Sequence, residues 1–460
     1  MKLKSFDLIV IGGGPGGYPA AIRAAQRGLK VALVEKNRLG GTCLQRGCIP
    51  SKGYIAAAEM IQMVARAERI GVHFSEPQID YQKLVETKDQ KVSKLTQGIG
   101  SLLKGNGVEL IEGEASLESP TSVRVNDQVY QAKNILLATG SEPVKPSSFP
   151  FDGTAILTTD EIFALKERPK RLMVVGGGVI GCELACAYNL LGSEVTLVEF
   201  LPEILSTEGG LASRSLKSLF EKRGIKVLTG IKVEEMEKDD CVYSSLSNGE
   251  VEKADIVLVA IGRRVGEDKI GLGKLGVILE KGFIKVDSRM RTSVPSIYAV
   301  GDLTGKTMLA HGATAEGICA AENIAGHSME IDYLSIPRIA YTIPEVASVG
   351  WNERQLKEGK RSYKTGRFSY LANGMAMLHE ETEGFAEVYV SDDRKILGAT
   401  AFGTQASTLI QEVAIIMKNK LSVDALVETI HAHPTITEII HEAAEDSVGL
   451  AIHKAGRRSN

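Results

Sequence analysis

The sequence predicts an α/β protein: two doubly wound, Rossmann-like nucleotide-binding domains in tandem, followed by a C-terminal α+β domain. Three observations carry this. A glycine fingerprint between apolar runs occurs twice, at Gly12 and at Gly176, each time with an acid 23 residues further on. After Pro337 the pattern changes to strand-like segments followed by helix-like ones. The length, 460 residues, suffices for about three domains, each with its own core.

The first element, residues 6–11 (Phe-Asp-Leu-Ile-Val-Ile), is the apolar run expected of a strand buried on both faces. Gly12-x-Gly14-x-x-Gly17 follows, then an Ala-rich helical stretch to Arg27, with Gly28 suited to its C-terminal cap. Residues 31–35 form the second strand, ending in Glu35. The glycines allow a tight turn, close approach of a pyrophosphate and tight helix–strand packing, and the helix N-terminus attracts phosphate. Glu35 is placed to accept hydrogen bonds from ribose hydroxyls. Pro19 is expected to cost a hydrogen bond in the first or second helical turn.

The pattern recurs as strand 171–175, Gly176-x-Gly178-x-x-Gly181 and strand 194–199, ending in Glu199. A carboxylate there hydrogen-bonds a 2′-hydroxyl and repels a 2′-phosphate, and residues 200–203 offer no arginine to hold one. NAD is therefore favoured over NADP. Residues 134–140 and 255–263 read as buried strands ending in a glycine turn, and 297–302 as a third ending in the acid Asp302. In the last third, alternating strands are expected at 384–390 and 396–402, and helices at 406–419 and 435–452, with a boundary near 333.

Composition narrows the function classes. Charged residues make up 24 % and the net charge is −3, so there is no electrostatic case for nucleic acid or an anionic membrane. Six cysteines in a chain this long do not make a disulfide-stapled secreted fold. The start runs straight into a strand with no signal-like segment, and no apolar run approaches the roughly 20 residues of a membrane span. A cytoplasmic protein is expected.

Cys43 and Cys48 follow directly on the first fingerprint. Regular helix rise separates residues five apart by about 7.5 Å, beyond the roughly 4.4–6.8 Å a disulfide accepts. A disulfide here requires a distorted turn, which Gly47 permits before Pro50 ends backbone donation. On these residues alone a redox pair, two buried thiols and half of a zinc site all stand. Zinc needs about four ligands, and no second close Cys/His group accompanies the pair; no metal is expected. Cys182 and Cys186, one turn apart, have ligand spacing but are better read as buried packing residues.

Together the motifs resemble the pyridine nucleotide-disulfide oxidoreductase flavoproteins over essentially the whole chain, and within them the branch that oxidises dihydrolipoyl groups. The residues that carry this are Gly-Gly-Thr-Cys43-x4-Cys48-Ile-Pro-Ser-Lys52, Gly-Gly-Gly-x-Ile-Gly-x-Glu183, Gly-Asp302 with Leu309-Ala-His311, Tyr341-Thr-x-Pro-Glu345, and His431-Ala-His433-Pro-Thr-x-x-Glu438. The resemblance implies an FAD domain at 1–143, an NAD domain at 144–263, a central segment returning to the flavin at 264–333, and a dimerisation domain at 334–460. It places FAD on Gly12, Gly14, Gly17, Glu35, Gly41, Thr42, Lys52, Ala115, Thr139, Gly140, Asp302 and Ala310. Within that set Asp302 serves the ribityl or phosphate region, Ala310 the isoalloxazine and Ala115 the adenine. NAD falls on Gly176, Gly178, Val179, Ile180, Gly181, Glu183, Glu199, Val233 and Gly262, with Lys52 and Glu183 paired beside the flavin ring.

By the same resemblance Cys43 is the interchange thiol, Cys48 the flavin-side thiol, His433 the base and Glu438 its orienting acid, acting across a homodimer. The implied partner is a lipoyl domain of an acyltransferase of the 2-oxo-acid dehydrogenase complexes, or of a glycine-cleavage carrier protein. A related reductase of a non-lipoyl disulfide is the alternative. Gln45-Arg46 departs from the commoner Asn-Val between the cysteines and bears on the disulfide's local potential. The tail, residues 455–460, carries no cysteine pair of the mercuric-reductase kind. No arginines of the NADP-dependent glutathione-reductase kind follow the second fingerprint.

Overall fold

From Leu8 to Ile11 the first strand carries no polar residue, and such a run needs cover on both faces. Leu8 and Val10 enter one core, while Phe6, Ile9 and Ile11 enter a second on the opposite face. The computed structural model describes residues 4–266 and 270–455; the tail 456–460 noted above lies outside them. The chain divides into two units, Met1–Ser51 with Gln82–Val144 and Arg263–Tyr333, and Lys52–Tyr81 with Lys145–Gly262 and Leu334–Asn460.

The chain begins with β1 (Ser5–Ile11), α1 (Gly17–Gln26), β2 (Val31–Glu35), α2 (Gly41–Arg46), α3 (Cys48–Ala67) and α4 (Tyr81–Gly105). Strands β3 (Glu109–Glu112), β4 (Ala115–Ser119), β5 (Ser122–Val125), β6 (Gln128–Leu137) and β7 (Glu142–Pro143) follow. The second nucleotide fold comprises β8 (Ile156–Leu157), β9 (Arg171–Val175), α5 (Val179–Leu190), β10 (Glu194–Glu199), α6 (Gly210–Lys222) and β11 (Lys226–Thr229). It continues through β12 (Val233–Lys238), β13 (Val242–Leu246) and β14 (Val251–Ala254) to β15 (Ile256–Val259). The chain then returns to the first unit as β16 (Arg263–Arg264), β17 (Leu279–Glu280), β18 (Phe283–Ile284), β19 (Ile297–Ala299) and α7 (Ala310–Ile324). The last third holds β20 (Arg338–Ala340), β21 (Glu345–Gly350), α8 (Glu353–Glu358), β22 (Lys364–Ser369), α9 (Gly374–Leu378) and β23 (Phe385–Val390). It closes with β24 (Ile396–Gly403), α10 (Ala406–Lys418), α11 (Asp424–Val427) and α12 (Glu438–Ser447).

In the first unit the sheet runs β3-β2-β1-β6-β5-β4, and β19 adds parallel to the C-terminal half of β6, Ile297 opposite Ile135. The core of the second nucleotide fold is the parallel sheet β11-β10-β9-β15-β8. A separate antiparallel sheet, β20-β21-β24-β23-β22, carries the C-terminal domain.

Three local expectations change. Pro19 occupies the third position of α1, where the amide has no intrahelical acceptor, so it costs no helical hydrogen bond. Strands β23 and β24 do not alternate: β23 is buried at every residue and β24 at all but one. They lie in the middle of their sheet, with α10 packed on β21 and β24 and α12 on β22 and β23. The helix expected over 435–452 is shorter, Glu438–Ser447, because Thr435 and Thr437 bond to each other and Gly449 turns left-handed at φ +79°.

Candidate active site

Both nucleotide cradles lie at the C-terminal ends of parallel strands, the position where open α/β sheets bind ligands. In the first unit Gly12 follows β1, Glu35 ends β2, Thr139 and Gly140 follow β6, and Asp302 follows β19. Those four strands are neighbours in the sheet order β2-β1-β6-β19. In the second unit Gly176 follows β9, Glu199 ends β10 and Gly262 follows β15. Ala310 opens α7, and Val179 and Ile180 open α5. Ala115 opens β4 and Val233 opens β12, each with a buried side chain, which leaves the backbone for any ligand contact.

The two fingerprints match glycine for glycine. A Cβ on Gly17 or Gly181 would sit 1.8 Å from the carbonyl oxygen of Gly12 or Gly176, so each helix presses on its own strand. The middle glycines differ. A Cβ on Gly178 would meet nothing within 4 Å, and one on Gly14 nothing nearer than Gly41 Cα at 3.7 Å. That uncovered backbone at a helix N-terminus fits a dinucleotide pyrophosphate. Glu35 accepts from the amides of Gly13 (2.7 Å) and Asn37 (2.8 Å), and Glu199 from those of Gly177 (2.5 Å) and Leu201 (2.7 Å). Each carboxylate is thus held at its loop with lone pairs left for ribose hydroxyls. Arg354, from α8, bonds Glu203 in the loop after Glu199.

The cysteine-bearing turn is built against the first cradle. Gly40 and Gly41 carry φ of +96° and +57°, and a Cβ on Gly41 would lie 2.7 Å from Gly14 Cα. Cys43 stands in α2, Cys48 begins α3, and Gly47 breaks the helix between them at φ −143°, ψ −112°. A Cβ on Gly47 would be 2.9 Å from the Thr42 carbonyl oxygen and 3.4 Å from Cys43 Cα, so the chain doubles back over Cys43. A disulfide between residues five apart needs a break in the helix of this kind. Both cysteines are half-buried. Burial, and next the charge of Cys43, push the Tyr18 phenol up. Gln45 donates to the Leu39 carbonyl (2.7 Å) and to Thr96 Oγ1 (2.8 Å), tying the turn to α4.

Further along α3, Lys52 Nζ reaches both oxygens of Glu183 at 3.0 and 2.8 Å. The Glu183 side chain is 5 % exposed and also accepts from the Tyr341 amide at 2.9 Å, while the Tyr341 ring faces Lys52 Nζ at 4.3 Å from its centroid. In the C-terminal domain His433 Nδ1 lies 2.8 Å from Glu438 Oε1, and Glu438 Oε2 accepts from the Thr435 amide at 2.9 Å. Burial raises the Glu438 pKa, but the Thr435 amide and His433 outweigh it and hold the carboxyl below its usual range. With Nδ1 turned to the carboxylate, Nε2 becomes the outward nitrogen of a side chain 79 % exposed in the single chain. The first histidine of the motif points inward: His431 bonds Glu412 (3.1 Å) and the Thr429 carbonyl (3.0 Å) and stacks on His441 at 4.7 Å.

Residues 6–317 match the pyridine nucleotide-disulphide oxidoreductase family, and residues 336–444 match the dimerisation domain of that family. The chain belongs to the pyridine nucleotide-disulphide oxidoreductases. It is 42 % identical over 457 residues to the dihydrolipoyl dehydrogenase of Chlamydia muridarum, covering 98 % of each chain. It is 42 % identical over 463 residues to that of Thermus scotoductus, covering 99 % of this chain and 100 % of the other. The solved structure of LpdA from Mycobacterium tuberculosis is similar at a TM-score of 0.90 and 27 % identity, over 96 % of this chain and 99 % of that one.

Several residues around this oxidoreductase site escaped the sequence reading. Ser141 and Arg263 meet at Asp302, and Glu316, fully buried on α7, accepts from the Gly301 amide at 2.6 Å and from the Tyr333 hydroxyl at 2.9 Å. Ser141 directly follows the Thr139-Gly140 turn and Arg263 directly follows Gly262, so polar residues abutting strand-end glycines were the available signal. Cys182 and Cys186 are buried on α5, and burial pushes both thiols up.

Proposed function

We propose that this chain oxidises protein-bound dihydrolipoyl groups and reduces NAD⁺, as a cytoplasmic homodimer holding FAD in the first cradle and NAD in the second. The observation that carries the reading is the cysteine turn doubled back at Gly47 and pressed through Gly41 onto the first fingerprint. FAD, when bound, supplies the two-electron relay between the cysteine pair and NAD⁺.

The chain's own residues handle sulfur and protons. His433 Nε2 takes the proton from a substrate thiol, and Glu438 stabilises the resulting imidazolium. The thiolate attacks Cys43 Sγ of a Cys43–Cys48 disulfide, that bond breaks, and Cys48 leaves as thiolate. The second substrate thiol then attacks the mixed disulfide, the lipoyl ring closes, and Cys43 leaves reduced. By the family resemblance Lys52, held by Glu183, would favour the electron-rich form of bound flavin with its positive charge. Glu199 selects NAD⁺ over NADP⁺ by repelling a 2′-phosphate. The carriers fitting this chemistry are lipoyl domains of 2-oxo-acid dehydrogenase acyltransferases or of a glycine-cleavage carrier protein. The test is dihydrolipoamide-dependent NAD⁺ reduction by flavin-loaded protein. Turnover supports the reading; no turnover with lipoyl substrates, beside NAD(P)H-driven reduction of another disulfide, transfers it to the non-lipoyl reductases.

A further inference from the structure

In the first unit one carboxylate is the meeting point of three chain segments. Asp302, in the turn after β19, accepts a hydrogen bond from Ser141 Oγ, just beyond the β6 turn. Arg263 grips the same serine twice, donating from Nε to its Oγ and from Nη2 to its carbonyl oxygen, both at 2.7 Å. Arg263 Nε also lies 3.8 Å from Asp302 Oδ2, and the two side chains are 14 % and 23 % exposed. The adjacent Arg264 behaves differently, pairing with Glu142 at 3.0 Å while both side chains remain about half exposed. An arginine withdrawn from water to this extent costs stability unless it is matched by charge and by fork-shaped acceptors. Backbone pairing explains how it is placed. The chain leaves the unit through β7 and returns through β16, the two strands pair antiparallel, and Arg263 is the first residue after Gly262, which turns at φ +128°.

We propose that Arg263 is a positioning residue of the flavin site: through Ser141 it fixes the Asp302 carboxylate, and its charge offsets repulsion between that carboxylate and the diphosphate of bound FAD. The inference rests on the reading that Asp302 faces the cofactor. A dinucleotide carries its own negative charge, so a partly buried carboxylate beside it needs a nearby cation. Arg263 meets that need from within the unit, and its two bonds to Ser141 restrict where the carboxylate can point.

The experiment measures FAD dissociation, by recovery of flavin fluorescence on dilution, for Arg263→Met in the wild-type and Asp302→Asn backgrounds. Thermal unfolding of each apoprotein is followed in parallel. Arg263→Met should weaken FAD binding about tenfold or more when Asp302 is present, and less than about threefold once it is neutral, as coupled neighbours do. A purely structural role for Arg263 predicts equal weakening in both backgrounds with equal apoprotein destabilisation, and that result overturns the proposal. So does unchanged FAD binding in Arg263→Met beside weakened binding in Asp302→Asn. Unchanged binding in Asp302→Asn instead removes the reading of Asp302 beneath it. Should the methionine variant not fold, the same comparison with Arg263→Lys applies: the ammonium keeps the charge without the fork, and a smaller weakening that still depends on Asp302 is expected.

Discussion

Glu183 accepts three hydrogen bonds, two from Lys52 Nζ and one from the Tyr341 amide, and sees almost no water. Replacing Lys52 by Met leaves a buried carboxylate with only the amide. Equilibrium denaturation should show a loss of up to about 3 kcal/mol, tempered by the partial exposure of Lys52. A loss within error of zero would mean that water already reaches Glu183. For the His433–Glu438 pair the expected effect is catalytic. Glu438→Gln should lower kcat about 10²-fold with little change in unfolding temperature. Its linkage has a definite sign. A depressed folded pKa gives Glu438 a stabilising contribution present above about pH 4.3 and lost as pH falls through the folded value. Glu199→Gln should narrow the preference of kcat/KM for NAD⁺ over NADP⁺; an unchanged ratio would relieve Glu199 of that role. Residues of this kind divide by how local their evidence is. Gly14, Glu35, Glu199 and the cysteine pair declare themselves through spacing within a stretch of about two dozen residues or fewer. Arg263, Ser141 and the Tyr341 amide act on partners more than 120 residues away, which no local pattern encodes.

Strand β22 and helix α12 touch through Gly366. A Cβ there would lie 1.9 Å from the Ala443 carbonyl oxygen and 2.3 Å from the Ser447 amide nitrogen. Gly366→Ala must therefore push α12 off its strand, and α12 begins with Glu438. The expected result is a stability loss of about 1–3 kcal/mol together with a fall in kcat; lost stability at full kcat would show that the His433 loop holds its place without the helix. The loop before α12 has a second anchor in His431. Its hydrogen bond to Glu412, which outweighs burial, raises its pKa, so its contribution is complete below about pH 6.5 and is lost as pH rises through the folded value. The stability gap between wild type and Glu412→Gln, under about 1 kcal/mol, should shrink between pH 6 and pH 9; a constant gap would show that charge plays no part. At this scale the fingerprint helices and parallel strands were legible because their apolar runs and glycines are contiguous. The ends of α12 and the double burial of β23 were not, because neighbours rather than the segments themselves set them.

The family dimerisation domain occupies residues 336–444, whereas Cys43 lies in the other unit. If His433 serves the cysteines of a second copy, mixing His433→Ala with Cys43→Ser subunits yields heterodimers with one intact site. Activity should then rise well above either homodimer, since loss of a base costs about 10²–10⁴-fold. No rise in verified, flavin-loaded heterodimers would assign the base to its own chain. The two nucleotide folds could be read along the sequence, but not the fact that residues 297–299 complete a sheet begun at residue 5. Strand β6 joins β1 on one side at Ile135–Leu137 and β19 on the other, and all three of those residues end fully buried. A ribosome makes β6 long before β19, and the whole second nucleotide fold emerges between them. At about 5–20 residues per second, the nascent chain therefore presents an apolar, unpaired strand edge for on the order of ten seconds. Chains stalled near residue 290 should be protease-sensitive and bind chaperones, whereas chains stalled once the segment through Tyr333 has cleared the exit tunnel should be protected and take up flavin.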